Sequence, residues 1–222
     1  MPIMPAAEGA RTVAVPTTML SDEVAGVVLA GGRSTRMGGA DKAFLAEGGQ
    51  IAMRRTIGLL RSCFAEVVVV AAEPARFRDF DVVVTRDEFP GLGPLAGIHA
   101  AMGRVSLPYV FVLACDMPFV ERSTIAFLVD RLANDDALIP CWEDDIEPLH
   151  GLYATRLRPR IEAALRAGET AIRAFLPSVR TTFVAEREMR RVPGAERSFR
   201  NINTPEDAAR FHLSLRGIAE GG

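Results

Sequence analysis

One stretch of the sequence carries the residue types that suit a polyphosphate ligand. Residues 27–42 read VVLAGGRSTRMGGADK, in which an apolar run meets glycines and then three cationic side chains, among them Arg36 and Lys42. Gly31 and Gly32 can adopt φ > 0 and let backbone N–H groups approach a ligand closely. Such donors suit phosphate oxygens, and Arg can bind a phosphate through two N–H groups at once. The stretch therefore predicts an anion-binding loop directly after a buried strand.

The two common nucleotide fingerprints are absent from this loop. It lacks G-x-x-x-x-G-K-[ST], since Lys42 follows Asp41 rather than Gly, and it does not match G-x-G-x-x-G. The prediction therefore depends on the whole loop rather than on a short motif. A solvated strand-to-helix turn with incidental charges is the alternative interpretation.

Two aspartates follow buried strands and are candidates for the same site. Asp116 comes after YVFVLAC, and Pro118 then turns the chain; Asp87 follows DVVVT and gives the same signal more weakly. A carboxylate beside phosphates commonly shares a divalent cation with them, and Mg²⁺ needs only one or two carboxylates plus phosphate oxygens. Asp116 is accordingly predicted as a magnesium ligand. For both residues the alternative is an ordinary aspartate in a turn.

The elements that must position these residues alternate between strand and helix over the first 135 residues. Apolar runs at residues 25–30, 66–71, 81–85 and 109–115 predict buried strands. Apolar residues at helical spacing between them predict helices around residues 51–64, 95–105 and 125–132. This order predicts an α/β fold that is Rossmann-like, with a mainly parallel central sheet and helices on both faces. Ligands of such sheets bind outside the carboxyl ends of the strands.

The second half of the chain has a different pattern. Strands are expected at 137–141 and 148–153, flanking an acidic turn and antiparallel to each other, and an edge strand at 181–185. Thr204-Pro205-Glu206-Asp207 has the residue order of a helix start. No linker separates the halves. We expect residues 23–217 to form a single nucleotidyltransferase domain and residues 1–22 to be a flexible N-terminal extension.

Composition excludes several classes of protein. The 222 residues contain 28 acidic and 26 basic side chains, so a broad cationic surface for nucleic acid is not expected. No apolar stretch reaches the ~18 residues that a membrane span requires. The three cysteines show no C-x-x-C spacing, which favours free thiols and a cytoplasmic location, and the three histidines show no zinc-ligand spacing.

Five segments in this order resemble the molybdenum cofactor guanylyltransferases. They are LAGGRSTRMGGADK, PGLGPLAGI, the strand end CDMPF, PLHGLY and NINTPEDAARF, and the resemblance runs from about residue 24 to about residue 211. The resemblance implies a Rossmann-like enzyme that uses Mg²⁺. It would transfer GMP from GTP to molybdenum-molybdopterin and release pyrophosphate. Molybdoenzymes or their chaperones are the implied protein partners.

The resemblance also implies roles for individual residues. Nucleotide contacts fall to Leu29, Ala30, Gly31, Gly32, Arg36, Lys42, Asp87 and Asp116. Of these, Arg36, Lys42 and Asp116 would act in catalysis, and Asp116 would bind the metal. On the pterin side the candidates are His150, Asn201 and Asn203, although both asparagines also suit turn and helix-entry roles. Where the family often has an Asn after the second strand, this chain has Ala71-Ala72-Glu73.

Two other functions remain open at this point. The glycine pair after Ala30 and the GPLAG at residues 93–97 resemble the guanine-using branch, whereas the related cytidylyltransferases tend to carry Ala-Ala-Gly in place of the pair. A molybdenum cofactor cytidylyltransferase, or another nucleotidyltransferase of the same fold, is nevertheless the first alternative. The second is a non-catalytic nucleotide- or pterin-binding partner of a molybdoenzyme.

Overall fold

The computed structural model describes residues 19–30, 45–47, 50–202, 204, 207 and 213–215. In these residues the strands are β1 (Val24–Leu29), β2 (Leu45–Glu47), β3 (Gln50–Ile51), β4 (Val67–Val70), β5 (Val83–Thr85), β6 (Tyr109–Ala114), β7 (Ala137–Trp142), β8 (Asp145–Ile146), β9 (His150–Ala154), β10 (Thr181–Val184) and β11 (Leu213–Leu215). The α-helices are α1 (Ala52–Cys63), α2 (Pro94–Met102), α3 (Arg122–Val129), α4 (Arg158–Arg166), α5 (Ile172–Phe175), α6 (Glu186–Met189) and α7 (Ala195–Ser198). Short 3₁₀ helices cover Pro74–Phe80, Thr155–Leu157 and Leu176–Ser178.

The central sheet has the strand order β10-β7-β9-β6-β1-β4-β5, with β8 paired to β7. The neighbours of β1, which are β4 and β6, both run parallel to it, as do β4 and β5 and, at the other edge, β7 and β10. β9 is antiparallel to both β6 and β7. The expectation of a mainly parallel sheet is confirmed, and the antiparallel exception lies in the second half, where the sequence placed it.

Two apolar cores cover the two faces of this sheet. Alternate residues of β1 point to opposite faces, so Val24 and Val28 join the core under α1 and α3, whereas Val27 and Leu29 join the core under α2 and α4. All six residues of β1 and all six of β6 are buried. Continuous apolar runs therefore do mark strands that are covered on both faces.

The acidic turn between β7 and β8 is a tight hairpin. Glu143 and Asp144 both adopt positive φ, +50° and +60° respectively. Positive φ at both central residues is the signature of a type I′ turn, whose twist matches that of the flanking strands. The turn explains how the chain reverses direction and enters the sheet as an antiparallel strand.

Thr204 and Asp207 make hydrogen bonds typical of a helix start, as the sequence predicts for residues 204–207. The Thr204 hydroxyl accepts a hydrogen bond from the backbone N–H of Asp207 at 3.0 Å. In return, the Asp207 carboxylate accepts one from the N–H of Thr204 at 2.9 Å. This reciprocal pattern satisfies two backbone donors that a helix start leaves open.

A second, small sheet of three strands has the order β11-β2-β3. Among the described helices, none is long and apolar enough to cross a bilayer.

Candidate active site

The carboxyl ends of four neighbouring strands lie level with one another. Leu29 at the end of β1 pairs with Val70 of β4 and with Ala114 of β6, and Val70 pairs in turn with Thr85 of β5. Adjacent strands lie ~4.8 Å apart, so the four ends span about 14 Å. The segments that follow these strands therefore emerge along one short edge of the sheet, which we call the carboxyl rim.

β1 reaches this rim with its backbone held on both sides. The Ala30 N–H donates to the Val70 carbonyl at 2.8 Å, and the Leu29 carbonyl accepts from the Cys115 N–H at 3.2 Å. The Leu29 side chain packs against Gly97 of α2, where an added Cβ would lie 3.1 Å from a Leu29 methyl carbon. Because of this close approach, α2 packs directly beside the carboxyl end of β1.

Asp87 lies two residues beyond β5, in the segment that leads to α2. Its carboxylate accepts a hydrogen bond from the Phe89 N–H at 2.8 Å, which closes an Asx turn. Burial raises the pKa of Asp87, and the hydrogen bond from Phe89 opposes this effect. The carboxylate is thus half-buried and held by its own backbone at the rim.

Asp116 lies two residues beyond β6, at the same rim. The Met117 N–H donates to the Ala114 carbonyl at 3.3 Å, so the chain turns immediately after the strand. The Asp116 carbonyl accepts from the Ile202 N–H at 2.8 Å, which joins the residue to a segment from the far end of the chain. The structure therefore brings Leu29, Ala30, Asp87 and Asp116 to one edge, as the positions of the strands predicted.

A second carboxylate near Asp116, that of Glu147, was not identified from the sequence. In the antiparallel pair of β6 and β9, Leu113 lies opposite His150, and the Ala114 N–H donates to the Leu149 carbonyl at 3.1 Å. Glu147 lies just beyond this pairing: its N–H donates to the Pro140 carbonyl at 2.9 Å, its carbonyl accepts from the His150 N–H at 3.1 Å, and the charge of Asp116 acts on its carboxyl group. The available signal was position alone, since Glu147 directly precedes the PLHGLY segment.

Glu147 begins an irregular excursion in the hairpin formed by β7, β8 and β9. Cys141 of β7 pairs with Ile146 of β8. If this register continued along β7, Leu138 would lie opposite residue 149. Leu138 instead pairs with Leu152 of β9. Three residues are thus extra on the β8–β9 side, since 152 minus 149 is three. The excursion interrupts regular pairing next to the end of β6. Irregular strands of this kind commonly redirect side chains beside active sites.

The pKa of Glu147 is raised by burial and by neighbouring charges. Burial raises its pKa to about 7, and the nearby negative charges of Asp145, Asp116 and Glu143 add to the increase, while Arg173 opposes it. A carboxyl group with this pKa is only partly ionised at neutral pH. Favourable ionisation would require a nearby cation.

His150 lies in β9 and is completely enclosed. Its ring lies 4.6 Å from the Phe199 ring and 5.5 Å from the Phe111 ring, centroid to centroid. Neither ring nitrogen has a hydrogen-bond partner, and burial lowers the pKa of His150 to about 3. The imidazole is therefore neutral, and it packs in the core instead of facing solvent.

Asn201 lies beside the Asp116 contact, between Phe199 and Ile202. Its residue is only partly buried, but its Oδ1 atom is inaccessible and has no hydrogen-bond partner. Phe199 stacks on Trp142 at 4.7 Å, which anchors this segment on β7. An amide oxygen without a partner, on the residue before the Ile202 contact to Asp116, suits a ligand at this end of the site.

Several predicted site residues lie outside the described residues, so their positions remain predictions. They are Gly31, Gly32, Arg36, Lys42 and Asn203. The described part of the site consists of the carboxylates and strand ends that would surround them.

The donors at the rim fit a magnesium ion better than a zinc ion. Asp116 and Glu147 supply two carboxylates, and Mg²⁺ bound with a nucleotide uses one or two together with phosphate oxygens. Structural zinc requires four Cys or His ligands. No cluster of three or more His, Cys, Asp or Glu side chains occurs among the described residues.

Comparison with known proteins identifies the family. The MobA-like NTP transferase domain matches residues 26–182. A probable molybdenum cofactor guanylyltransferase of Pelotomaculum thermopropionicum is 35% identical over 199 residues, which cover 90% of this chain and 97% of that protein. A molybdenum cofactor guanylyltransferase of Syntrophotalea carbinolica is 36% identical over 194 residues, covering 86% of this chain and 92% of that protein.

Among solved structures, the molybdopterin-guanine dinucleotide biosynthesis protein A of Archaeoglobus fulgidus has the same fold. It superposes with a TM-score of 0.73 at 27% identity, covering 84% of this chain and 96% of that protein. The relatives match nearly their full lengths, and the family match over residues 26–182 contains the described rim from Leu29 to Glu147. The chain therefore belongs to the molybdenum cofactor guanylyltransferases, within the MobA-like NTP transferase family.

Proposed function

We propose that this protein transfers GMP from GTP to molybdenum-molybdopterin. A terminal phosphate oxygen of molybdopterin attacks the α-phosphorus of GTP and forms a new P–O bond. The bond between the α-phosphorus and the bridging oxygen to the β-phosphorus breaks, and pyrophosphate leaves with that electron pair. The product is the guanine dinucleotide form of the cofactor.

The level ends of β1, β5 and β6 are the observation that carries this proposal. They bring the nucleotide-side residues Leu29, Ala30 and Asp87 to the same rim as the acidic residue Asp116. The span of about 14 Å is comparable to a nucleoside triphosphate with its metal. Arg36 and Lys42 follow β1 in the chain and would bind the phosphates.

This reaction does not need a strong general base. A phosphate monoester is largely ionised near pH 7, since its second pKa is about 6. The two described histidines, His99 and His150, are both 0% exposed and are not placed to remove a proton from a substrate. Catalysis would therefore come from positioning the two substrates and from neutralising charge on the leaving group.

Asp116 would hold the magnesium ion, with Glu147 as the second carboxylate. When bound, Mg²⁺ supplies positive charge to the nucleotide phosphates. These residues would fix the ion at the rim. The Asp116 carbonyl accepts from the Ile202 N–H, and Glu147 is held by backbone hydrogen bonds to Pro140 and His150.

Pyrophosphate release tests the proposal directly. The protein is mixed with molybdenum-loaded molybdopterin, Mg²⁺ and either GTP or CTP. Release with GTP but not with CTP is expected. Release with CTP alone would identify a cytidylyltransferase, and binding of nucleotide without release of pyrophosphate would identify a non-catalytic partner protein.

An aspartate far from the rim provides a matched control. Asp116→Asn should slow pyrophosphate release by about 10²–10³-fold, the loss seen when a charge-stabilising group is removed. Asp130→Asn should leave the rate unchanged, because Asp130 is exposed and follows α3 at the end away from the rim. Equal rates for the two variants would remove Asp116 from the mechanism.

We further propose that residues 23–217 act as one domain and that the reaction takes place in the cytoplasm. The free cysteines Cys63, Cys115 and Cys141 are compatible with a reducing compartment. The finished cofactor would be delivered to molybdoenzymes or to their chaperones.

A further inference from the structure

His99 is a buried polar residue for which the proposed mechanism has no use. It lies in α2 and is 0% exposed, and neither of its ring nitrogens has a hydrogen-bond partner. Enclosing polar atoms without partners is unfavourable, and an apolar side chain would avoid this loss. The position of His99 therefore calls for an explanation beyond packing.

Two carboxylates flank the His99 ring, one on each side. Its Nδ1 lies 4.0 Å from Glu88 and its Nε2 lies 3.8 Å from Glu162. Both distances exceed a hydrogen bond but allow an electrostatic attraction. Glu162 belongs to α4 and Glu88 to the segment after β5, so the imidazole lies between two elements that pack against α2.

Arg158 holds Glu88 in this arrangement. Its guanidinium donates to both carboxylate oxygens of Glu88, at 3.1 and 3.3 Å. Gly103 makes room for the guanidinium, since a Cβ there would lie only 3.1 Å from two of its nitrogens. Glu88, Phe89, His99, Arg158 and Glu162 thus form one connected group, which we call the His99 cluster.

The His99 cluster includes both residues that follow Asp87 in the chain. Glu88 is the next residue in the chain, and the Phe89 ring packs edge-on against the His99 ring at 5.3 Å. The backbone N–H of Phe89 donates the 2.8 Å hydrogen bond to the Asp87 carboxylate. His99 is therefore connected to Asp87 through the side chains of its two neighbours and through one hydrogen bond.

We propose that His99 is a positioning residue, which fixes the Asp87 carboxylate at the rim for binding the nucleotide. This inference depends on the proposed function, because it assumes that Asp87 contacts GTP. His99 itself touches no substrate. Its ring fixes Phe89 and Glu88, and the Phe89 N–H then sets the orientation of Asp87. Removing the ring should loosen the Asx turn and weaken GTP binding without affecting the pterin side.

The test measures GTP affinity calorimetrically for the full-length protein in Mg²⁺. His99→Leu fills the site with an apolar side chain and should weaken GTP binding about tenfold, the lower end of the effect for residues that orient a binding group. His99→Gln keeps polar atoms at the site and should restore most of the affinity. Met102→Leu, a buried change in the same helix, should bind GTP as the wild type does.

A double-mutant cycle separates positioning from general packing. If His99 acts through Asp87, then His99→Leu should cause little further loss of GTP affinity in a protein that already carries Asp87→Asn. Molybdopterin affinity should stay unchanged in all variants. Full additivity of the two losses would overturn the proposal, as would normal GTP affinity in His99→Leu.

The outcomes also distinguish this inference from the proposed function. A wild type that binds GTP, with His99→Leu unaltered, overturns only the role of His99. A wild type that does not bind GTP overturns both. If His99→Leu does not fold, Arg158→Met releases Glu88 from the more exposed side of the cluster, and it must show the same non-additivity with Asp87→Asn.

Discussion

At the scale of single residues, two carboxylates of the proposed site lie close enough for the charge of Asp116 to disfavour ionisation of Glu147. The charge of Asp116 contributes to the raised pKa of Glu147, which is about 7. Both groups are partly buried, so solvent screens their repulsion only in part. A divalent cation between them would remove this cost, which explains why carboxylates would be retained there.

Glu147 should therefore matter for the metal requirement. Glu147→Gln keeps the shape of the side chain and removes its charge, so the Mg²⁺ concentration for half-maximal turnover should rise about tenfold. The measurement is a Mg²⁺ titration of pyrophosphate release. Asp130→Asn, an exposed change away from the rim, is the control and should have no effect. An unaltered requirement in Glu147→Gln would exclude the residue as a ligand.

His150 should make the folded protein sensitive to acid. Its pKa is lowered to about 3 by burial, so the unfolded chain takes up a proton near pH 6.5 that the folded protein does not. The free energy of unfolding is unaffected by His150 above pH 6.5. It decreases as the pH falls from 6.5 towards 3, because only the unfolded chain binds the proton in that range. By pH 4 the loss reaches at most on the order of 3 kcal/mol.

His150→Phe removes this loss and keeps a ring between Phe111 and Phe199. Urea unfolding between pH 7 and pH 4 should show the free energy of unfolding falling less steeply for the variant than for the wild type. Comparing slopes cancels any packing difference between the two rings. Parallel pH profiles would show that His150 already carries a proton in the folded state.

At the scale of elements, the insertion of β9 between β6 and β7 builds the acidic side of the rim. β9 pairs with β6 at one edge and with β7 at the other, so its residues are buried on both faces. Ile139 and the Leu138 carbonyl of β7 come close to Gly151. This tight contact holds β9 in register with β7, directly after the segment that carries Glu147.

Two glycine substitutions should therefore have opposite effects on stability. A Cβ at Gly151 would lie 2.8 Å from the Ile139 Cδ1 and 3.0 Å from the Leu138 carbonyl oxygen, so Gly151→Ala should destabilise by about 1–3 kcal/mol. Gly58 lies exposed in α1 with nothing within 4 Å of such a Cβ. Gly58→Ala should stabilise by about 0.5–1 kcal/mol, because Ala favours the helix. Chemical denaturation measures both, and a neutral Gly151→Ala would show that β9 can shift.

The sequence predicts most of these elements but not their irregular parts. β1 and β6 are recognisable because burial on both faces leaves a continuous apolar run. The excursion at Glu147 cannot be recognised from the sequence, because it arises from pairing with strands that lie far away in the chain. His150 is similarly ambiguous, since only the position of β9 inside the sheet determines that its ring is enclosed.

At the scale of the whole molecule, binding of nucleotide and metal should be visible as added stability. A ligand at 100 times its Kd stabilises the folded state by about 2.7 kcal/mol. For a chain of this size that corresponds to a rise in Tm of about 5–10 °C. GTP with Mg²⁺ should give this shift in thermal unfolding, and GTP with EDTA or CTP with Mg²⁺ should give less. In Asp116→Asn, the part of the Tm rise that depends on Mg²⁺ should disappear. A shift that is the same with and without EDTA would contradict a shared metal.

The site could be predicted from the sequence only where local pattern determines position. Asp87 and Asp116 follow recognisable strands, and the direction of parallel strands brings their ends together. Glu147, His99 and the link from Ile202 to Asp116 depend on tertiary contacts between distant segments. The cationic residues Arg36 and Lys42 were assigned from charge and from family resemblance, and they remain predictions.

A crystal structure with GTP and Mg²⁺ is the most direct test of the central claim that one rim binds the triphosphate. We expect an Asp116 oxygen about 2.0–2.1 Å from the metal, with Lys42 on the phosphates of the same nucleotide and Asp87 on its nucleoside side. Density for GTP away from the ends of β1 and β6, or Lys42 and Asp116 too far apart to share one nucleotide, would contradict it.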